Sequence, residues 1–290
     1  MTFRTRFAPS PTGPLHLGHA YSALLAFDMA QAAKGSFLLR MEDIDQSRSR
    51  DTWETQIYDD LAWLGIRWQE PVLRQSDNMN AYAHALKKLR KLGVLYHCFC
   101  NRADIRAALG APQEGAKHVF GPDGLVYPGT CRGLRDVPST DSTPAIRLDM
   151  AKAIKVISQQ PDAAPLSFQE TDGATTQVVS FAAHDLTTRI GDVVLARREM
   201  GTSYHLSVVV DDAAQEITHV VRGEDLFEAT KIHVVIQRLL GLTTPVYRHH
   251  RLIRDDAGKR LAKRDDARAI AKYRQEGLSA YDIRKMVGLA

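Results

Sequence analysis

Apolar and polar residues alternate at the start of the chain, with Phe3, Thr5 and Phe7 on one side and Arg4 and Arg6 on the other, which predicts a strand over residues 3–8. Pro9, Pro11, Gly13 and Pro14 end it. Residues 15–33 are rich in Ala and Leu and predict a helix, with Gly35 as its stop. A second strand over 37–41 runs into the polar group Glu42-Asp43-Ile44-Asp45, completing a strand, helix, strand unit. The next helix carries a capping box at Asp51 and Glu54, an apolar line at Trp53, Ile57, Leu61 and Leu64, and Gly65 at its end. Tyr82, Leu86 and Leu89 place another helix over about 80–92, and 94–100 reads as extended.

From 101 to 185 thirteen Gly and Pro residues, from Gly110 to Pro165, interrupt the pattern, as expected of an inserted subdomain. Regularity returns in two β-branched stretches, 204–210 and 217–221, both expected to be strands. The second leads through Arg222-Gly223-Glu224-Asp225 into a helix ending at Leu240 and Gly241. Two short helices close the chain, the second capped by Ser279. The expected fold class is α/β, with one parallel sheet assembled from both sides of the insertion. Ligands of such a sheet sit beyond the carboxyl ends of its strands, where residues 8–10, 42–45 and 222–225 fall.

Composition adds bounds. The 290 residues leave room for about two domains, and 44% hydrophobic residues suit a globular protein. No apolar run approaches a membrane span and the first residues do not read as a signal segment, so a cytoplasmic protein without membrane contact is expected. Three Cys disfavour a disulfide framework and leave free thiols or metal ligands. The net charge of +4 is modest, but residues 248–274 carry +6 and the rest −2. That segment is either a phosphate-binding region or a solvated charged face.

Candidate chemistry concentrates at the first strand-to-helix turn. A helix start offers unpaired N–H groups and positive potential to phosphates, Gly18 allows close backbone approach, and His16 and His19 share one helical face. By spacing alone, the two histidines could equally bind a metal or lie on the surface. The stretch Arg6-Phe7-Ala8-Pro9-Ser10-Pro11-Thr12-Gly13-Pro14-Leu15-His16-Leu17-Gly18-His19 resembles the signature of the class I glutamyl- and glutaminyl-tRNA synthetases. The resemblance continues in order through Arg40-Met41-Glu42-Asp43-Ile44-Asp45, through Tyr204-His205-Leu206 with Val208-Val209-Val210-Asp211-Asp212, and through His219-Val220-Val221-Arg222-Gly223-Glu224-Asp225. It implies a Rossmann-type catalytic domain that joins an amino acid to ATP, as its Mg complex, and passes the aminoacyl group to RNA. It further implies glutamate binding by Arg6, Ala8, Ser10, Glu42, Tyr204 and Arg222, and ATP binding and catalysis by His16, Gly18, His19 and Lys263. The charges suit the task, because Arg6 and Arg222 can pair with carboxylates and Glu42 with an ammonium. Taken singly, Glu42 could be a structural salt bridge and Tyr204 a core aromatic.

Lys263 lies in Arg260-Leu261-Ala262-Lys263-Arg264, the counterpart of the family's mobile Lys-Met-Ser-Lys-Ser or Lys-Leu-Ser-Lys-Arg loop. Arg260 changes the shape of a cation there and Ala262 lacks the hydroxyl.

Cys98 and Cys100 lie on one side of an extended segment, and with Cys131 they make three parts of a tetrahedral zinc site or three free thiols. Their spacing, with Tyr127 four residues before Cys131, is similar to the zinc site of the glutamyl-Q tRNA(Asp) synthetases, short relatives of the glutamyl enzymes. The resemblance implies one structural Zn on Cys98, Cys100, Tyr127 and Cys131. His97 and His118 compete as fourth ligand.

The expected division is therefore 1–97 and 186–241 for the catalytic halves, 98–185 for a zinc-containing insertion, and 242–290 for the basic ATP loop and terminal helices. With the chain ending at Ala290, no anticodon-binding domain is expected. The implied partners of the expected monomer are ATP, L-glutamate and queuosine-containing tRNA(Asp). A truncated glutamyl-tRNA synthetase or a non-catalytic RNA-binding relative are the rival readings.

Overall fold

The computed structural model describes residues 2–110, 119–134, 143–160, 164–254 and 268–290. β1 (Arg4–Phe7), α1 (Leu17–Ala32) and β2 (Ser36–Met41) form the expected unit, and β1 pairs in parallel with β2 from Arg4 opposite Ser36 to Phe7 opposite Leu39. Small residues on the buried face of α1, Ala20, Ala23, Ala26 and Ala30, leave little between helix and strands. α2 (Asp51–Trp63) leads to β3 (Gln69–Arg74), which extends the sheet on the other side of β2. α3 (Met79–Lys91) follows, and then β4 (Leu95–Cys98).

The region of weak pattern holds α4 (Arg102–Gly110), a small hairpin of β5 (Phe120–Gly121) and β6 (Gly124–Leu125), β7 (Ala145–Leu148) and α5 (Met150–Ser158). It continues with β8 (Ser167–Thr171), β9 (Thr176–Ser180) and a short helical turn, α6 (Ala183–Asp185), prolonged over Leu186–Ile190. β10 (Val194–Ala196) pairs antiparallel with β7, which also pairs with β4. After α7 (Tyr204–Ala214) come β11 (His219–Gly223), α8 (Phe227–Leu240) and β12 (Val246–His250). β11, β12 and β8 pair in parallel, and β9 closes that sheet antiparallel to β8. The two parallel sheets abut where the Thr218 N–H donates to the Arg4 carbonyl at 2.9 Å and the Arg4 N–H donates to the Thr218 hydroxyl at 2.8 Å. β8 and β9, within residues 98–185, thus belong to the same sheet as β11 and β12. α9 (Ile270–Gln275) and α10 (Ala280–Val287) end the chain, and Ser279 caps α10 as expected.

Two expectations are corrected. Residues 204–210 are helical, not extended. α7 is buried nearly all round, at His205, Leu206, Ser207, Val208, Val209, Asp211 and Asp212, so burial erased the helical period and left a β-branched run that imitates a strand. The capping box at Asp51 is absent, because Arg50 occupies the cap position without a side-chain bond. Glu54 instead accepts from the Tyr58 hydroxyl at 2.8 Å and pairs with Arg74.

The core divides into two large clusters and a small third one of Cys98, Tyr127 and Cys131. One large cluster joins β1, β2, α1 and α2 with Ile270, Ile283 and Val287 of the terminal helices; the other joins α3, α5, α7 and α8. No described helix is long and apolar enough to cross a membrane.

Asp60 on α2 is an electrostatic weak point. It is fully buried, neither carboxylate oxygen has a hydrogen-bond partner, and Arg274 approaches only to 4.0 Å. Burial raises its pKa from 3.8 to about 6, against a smaller opposing pull from Arg274. Because the folded value lies above the unfolded one, stability falls as pH rises through this interval and stays lowered above it. Asp60→Asn is expected to stabilise the fold by about 1–2 kcal/mol at pH 8 and not at all at pH 4, measured by urea unfolding at both.

Candidate active site

Three parallel strands deliver polar side chains to one cavity of about 580 Å³. Arg6, Phe7 and Ala8 come from the end of β1, Ser10 from the following turn, Glu42 from just past β2, and Arg222 and Gly223 from the end of β11. Tyr204 enters from the first turn of α7, while His16, Gly18 and His19 enter from the start of α1. The Glu42 N–H donates to the Pro9 carbonyl at 2.9 Å, tying the two strand exits together. Every described residue expected to bind glutamate or ATP therefore lines this cavity. Lys263, with Arg260 and Ala262, lies outside the described residues.

The start of α1 is built by its histidines. The Gly18 N–H donates to His16 Nδ1 at 3.1 Å, the His16 N–H donates to His19 Nδ1 at 3.1 Å, and the two rings lie 3.7 Å apart. A Cβ on Gly18 would stand 3.0 Å from the His16 ring, so glycine is what lets the imidazole fold over the helix end. The Ile270 N–H donates to the Leu15 carbonyl at 2.8 Å, which brings the C-terminal flank of the basic segment to the same turn.

The two arginines of the cavity are held differently. Arg6 donates through Nε and Nη2 to both oxygens of Asp212, at 2.9 and 3.2 Å. Arg40, fully buried, donates to Asp212 at 2.7 Å, to the Gln215 side chain at 3.0 Å and to Glu42 at 3.2 Å. Asp211 beside it accepts from Gln75, Asn78 and Tyr82 at 2.7–2.9 Å. Burial alone would raise the Asp212 pKa, but Arg6 and Arg40 outweigh it and hold the group down at about 2. For Glu42 burial wins, and its pKa rises despite Arg40 and Arg6.

Arg222 has imidazoles instead. Its Nε–H donates to His249 Nε2 at 3.2 Å, Nη1–H points to His233 Nδ1 at 3.1 Å, and Nη2–H bonds the Thr230 hydroxyl. Glu170 of β8 holds His249, accepting from its backbone N–H and facing its Nδ1, both at 2.7 Å. Among the described residues no carboxylate pairs with Arg222.

A second cluster lies at the end of β4. The sulfurs of Cys98, Cys100 and Cys131 lie within 4.8 Å of one another, and the Tyr127 hydroxyl is 3.4 Å from both Cys98 and Cys100. Four donors on a tetrahedral zinc with 2.3 Å bonds to sulfur would place sulfurs about 3.8 Å apart, so this donor set fits the ion. Burial raises the Cys100 pKa to about 11. At Cys131 burial is overcome by hydrogen bonding to the Tyr127 hydroxyl and the Phe99 backbone, which brings it to about 7. His97 is exposed and alternates with buried Cys98 along β4, and His118 lies outside the described residues.

Pattern reasoning missed Arg40, Asp212, His233 and His249. Arg40 and Asp212 stand inside the recognised motifs, and two adjacent acids after a run of three valines are the signal that could have singled out Asp212. His233 and His249 carry no local signal.

This architecture and cavity define a class I synthetase catalytic domain. The family model for tRNA synthetases class I (E and Q), catalytic domain, matches residues 2–289, and the chain belongs to that family as an aminoacyl-tRNA synthetase-like ligase. It is 59% identical over 98% of its length to the Glutamyl-Q tRNA(Asp) synthetase of Rhodobacter capsulatus, covering 99% of that protein. It is 39% identical to the protein of the same name from Geobacter sulfurreducens, with 93% and 78% of the two chains covered. A crystal structure of a glutamate tRNA ligase from Elizabethkingia meningosepticum in complex with its amino acid superposes with a TM-score of 0.74 at 26% identity. All of this chain is matched there, spanning 61% of that protein.

Asp212→Ala would leave two guanidinium groups buried without their shared partner. The expected loss is about 3–5 kcal/mol at pH 7 by denaturant unfolding. Because the native pKa lies below the unfolded value of 3.8, the pairing stabilises above about pH 4 and is lost as pH falls toward 2. The variant should therefore show a shallower loss of stability across that acid range.

Proposed function

We propose that this chain condenses L-glutamate with ATP, without tRNA, and transfers the glutamyl group to queuosine in the anticodon loop of tRNA(Asp), acting as a cytoplasmic monomer. The observation that carries the amino-acid assignment is Arg222, a buried guanidinium that pairs with no carboxylate among the described residues, facing the same cavity as Glu42. A dicarboxylic amino acid complements that pair. Its side-chain carboxylate meets Arg222 and its ammonium meets Glu42, lowering the raised pKa of that carboxyl. Arg6, already neutralised by Asp212, still presents positive edge to a carboxylate, while Ala8, Ser10 and Tyr204 bound the space.

In the activation step a substrate carboxylate oxygen bonds to the α-phosphorus of ATP and pyrophosphate leaves. The charge that builds on phosphoryl oxygens requires oriented donors and cations more than proton transfer. His16 and His19 at the start of α1, with Gly18 giving the backbone room, suit that place, and Lys263, outside the described residues, supplies a further cation. Mg accompanies ATP. In the second step a nucleophile of the modified base attacks the glutamyl carbonyl and AMP leaves.

One Zn, held by Cys98, Cys100, Tyr127 and Cys131, would complete the second cluster. With four protein ligands it leaves no open position, so its chemistry is structural. The queuosine target rests on the names of the most similar relatives; no residue contact carries it.

Glutamate-dependent ATP–pyrophosphate exchange should proceed without tRNA, and labelled glutamate should pass to tRNA(Asp) only when queuosine is present. Absence of exchange by folded protein would reject activation. Transfer to the 3′ end of queuosine-free tRNA(Glu) would instead favour a truncated glutamyl-tRNA synthetase. For the metal, protein prepared with zinc should hold one ion per chain, and Cys131→Ser should lose it and melt at lower temperature; protein that takes up no zinc would remove the assignment.

A further inference from the structure

Arg222 is reached by a chain of hydrogen bonds that begins on the surface of the inserted region. Asp123 lies in the turn between β5 and β6, with half of its side chain exposed. Its two carboxylate oxygens lie 2.9 and 3.0 Å from His205 Nε2. His205 Nδ1 lies 3.1 Å from His233 Nε2, and His233 Nδ1 lies 3.1 Å from Arg222 Nη1. Both imidazoles are buried.

The chemistry leaves one proton arrangement that satisfies every link. A guanidinium only donates, so His233 Nδ1 must accept. The neutral ring then carries its proton on Nε2 and donates to His205 Nδ1. His205 in turn carries its proton on Nε2 and donates to Asp123. Burial, reinforced by the charge of Arg222, holds the His233 pKa well below its ordinary value, consistent with a neutral ring. Each donor polarises the next acceptor, so the carboxylate at the far end strengthens the bond that orients Arg222.

The start of the chain is itself held in place. A Cβ on Gly121 would stand 2.5 Å from the Arg189 carbonyl, and one on Gly191 would stand 2.7 Å from the Val126 side chain. These two glycines let the hairpin sit directly on the segment Leu186–Ile190. Tyr127 of the cysteine cluster follows two residues after β6.

We propose that Asp123, His205 and His233 are positioning residues for amino-acid binding, which orient Arg222 toward the substrate carboxylate through this chain. The inference rests on the assignment of Arg222 to the glutamate carboxylate made above. It predicts a loss confined to the amino acid, because the chain ends on Arg222 and on no residue expected to meet ATP.

The test is exchange kinetics of the full-length protein with glutamate and ATP varied separately. Asp123→Ala should raise the KM for glutamate roughly three- to tenfold, with the KM for ATP and kcat within about twofold of wild type. Asp123→Asn keeps an oxygen to accept the His205 proton and should recover most of that loss. His205→Ala should show the same selective loss, and the double variant should be no worse than His205→Ala alone. His205→Gln replaces His205→Ala if that variant does not fold. An unchanged KM for glutamate in the Asp123 and His205 variants overturns the inference, as does an equal loss for glutamate and ATP. Wild-type protein without any exchange would reject the proposed function itself, whereas wild-type exchange with unaltered variants rejects only the chain.

Discussion

The pairing of Asp212 with Arg6 and Arg40 is the constraint on which the cavity depends. Each partner comes from a different element: Arg6 from β1, Arg40 from β2 and Asp212 from α7. Removing three charges from water is costly, and only close, directional contacts compensate. The three elements can therefore meet in few other ways. Asp211, satisfied by Gln75, Asn78 and Tyr82, adds the segment after β3 and the first turns of α3 to the same arrangement. Once α7 is held against the two strand ends, its first turn brings Tyr204 to the cavity opposite Glu42.

This constraint also divides labour between two guanidinium groups that look equivalent in the sequence. Arg6 has its charge balanced by a carboxylate of the protein. Arg222 is oriented by His233, His249 and Thr230, groups that accept hydrogen bonds but do not cancel its charge. The acids behind those imidazoles, Asp123 and Glu170, both lie between residues 98 and 185. The region of weakest pattern thus supplies the carboxylates behind the imidazoles that lead to Arg222.

Local pattern reported the elements that have one apolar face or a clear stop. β1, β2 and α1 were legible because Phe7, Phe37 and the alanines of α1 bury one side, and α8 because Gly241 ends it in the left-handed conformation. The helix Tyr204–Ala214 was misread because it is enclosed by other elements and has no polar face to mark its period. β8, β9 and β12 carry too little alternation to stand out, and their pairing joins residues 170 and 247. At Asp51 the capping signal was present, but Arg50 begins the helix and Glu54 is drawn to Tyr58 and Arg74.

The sequence by itself determined the chemical inventory: a glycine-bearing histidine turn at a helix start, acids and arginines just past strand ends, and three thiols with a nearby phenol. These were readable because motif residues are close in the chain and their spacing maps onto strand or helix geometry. Only the tertiary structure decided which cation is paired with a protein carboxylate and which is held by imidazoles. That choice depends on Asp212 lying 206 residues from Arg6 and His205 lying 28 from His233, and electrostatic pairing follows distance in space through a low-dielectric interior, which linear spacing does not encode.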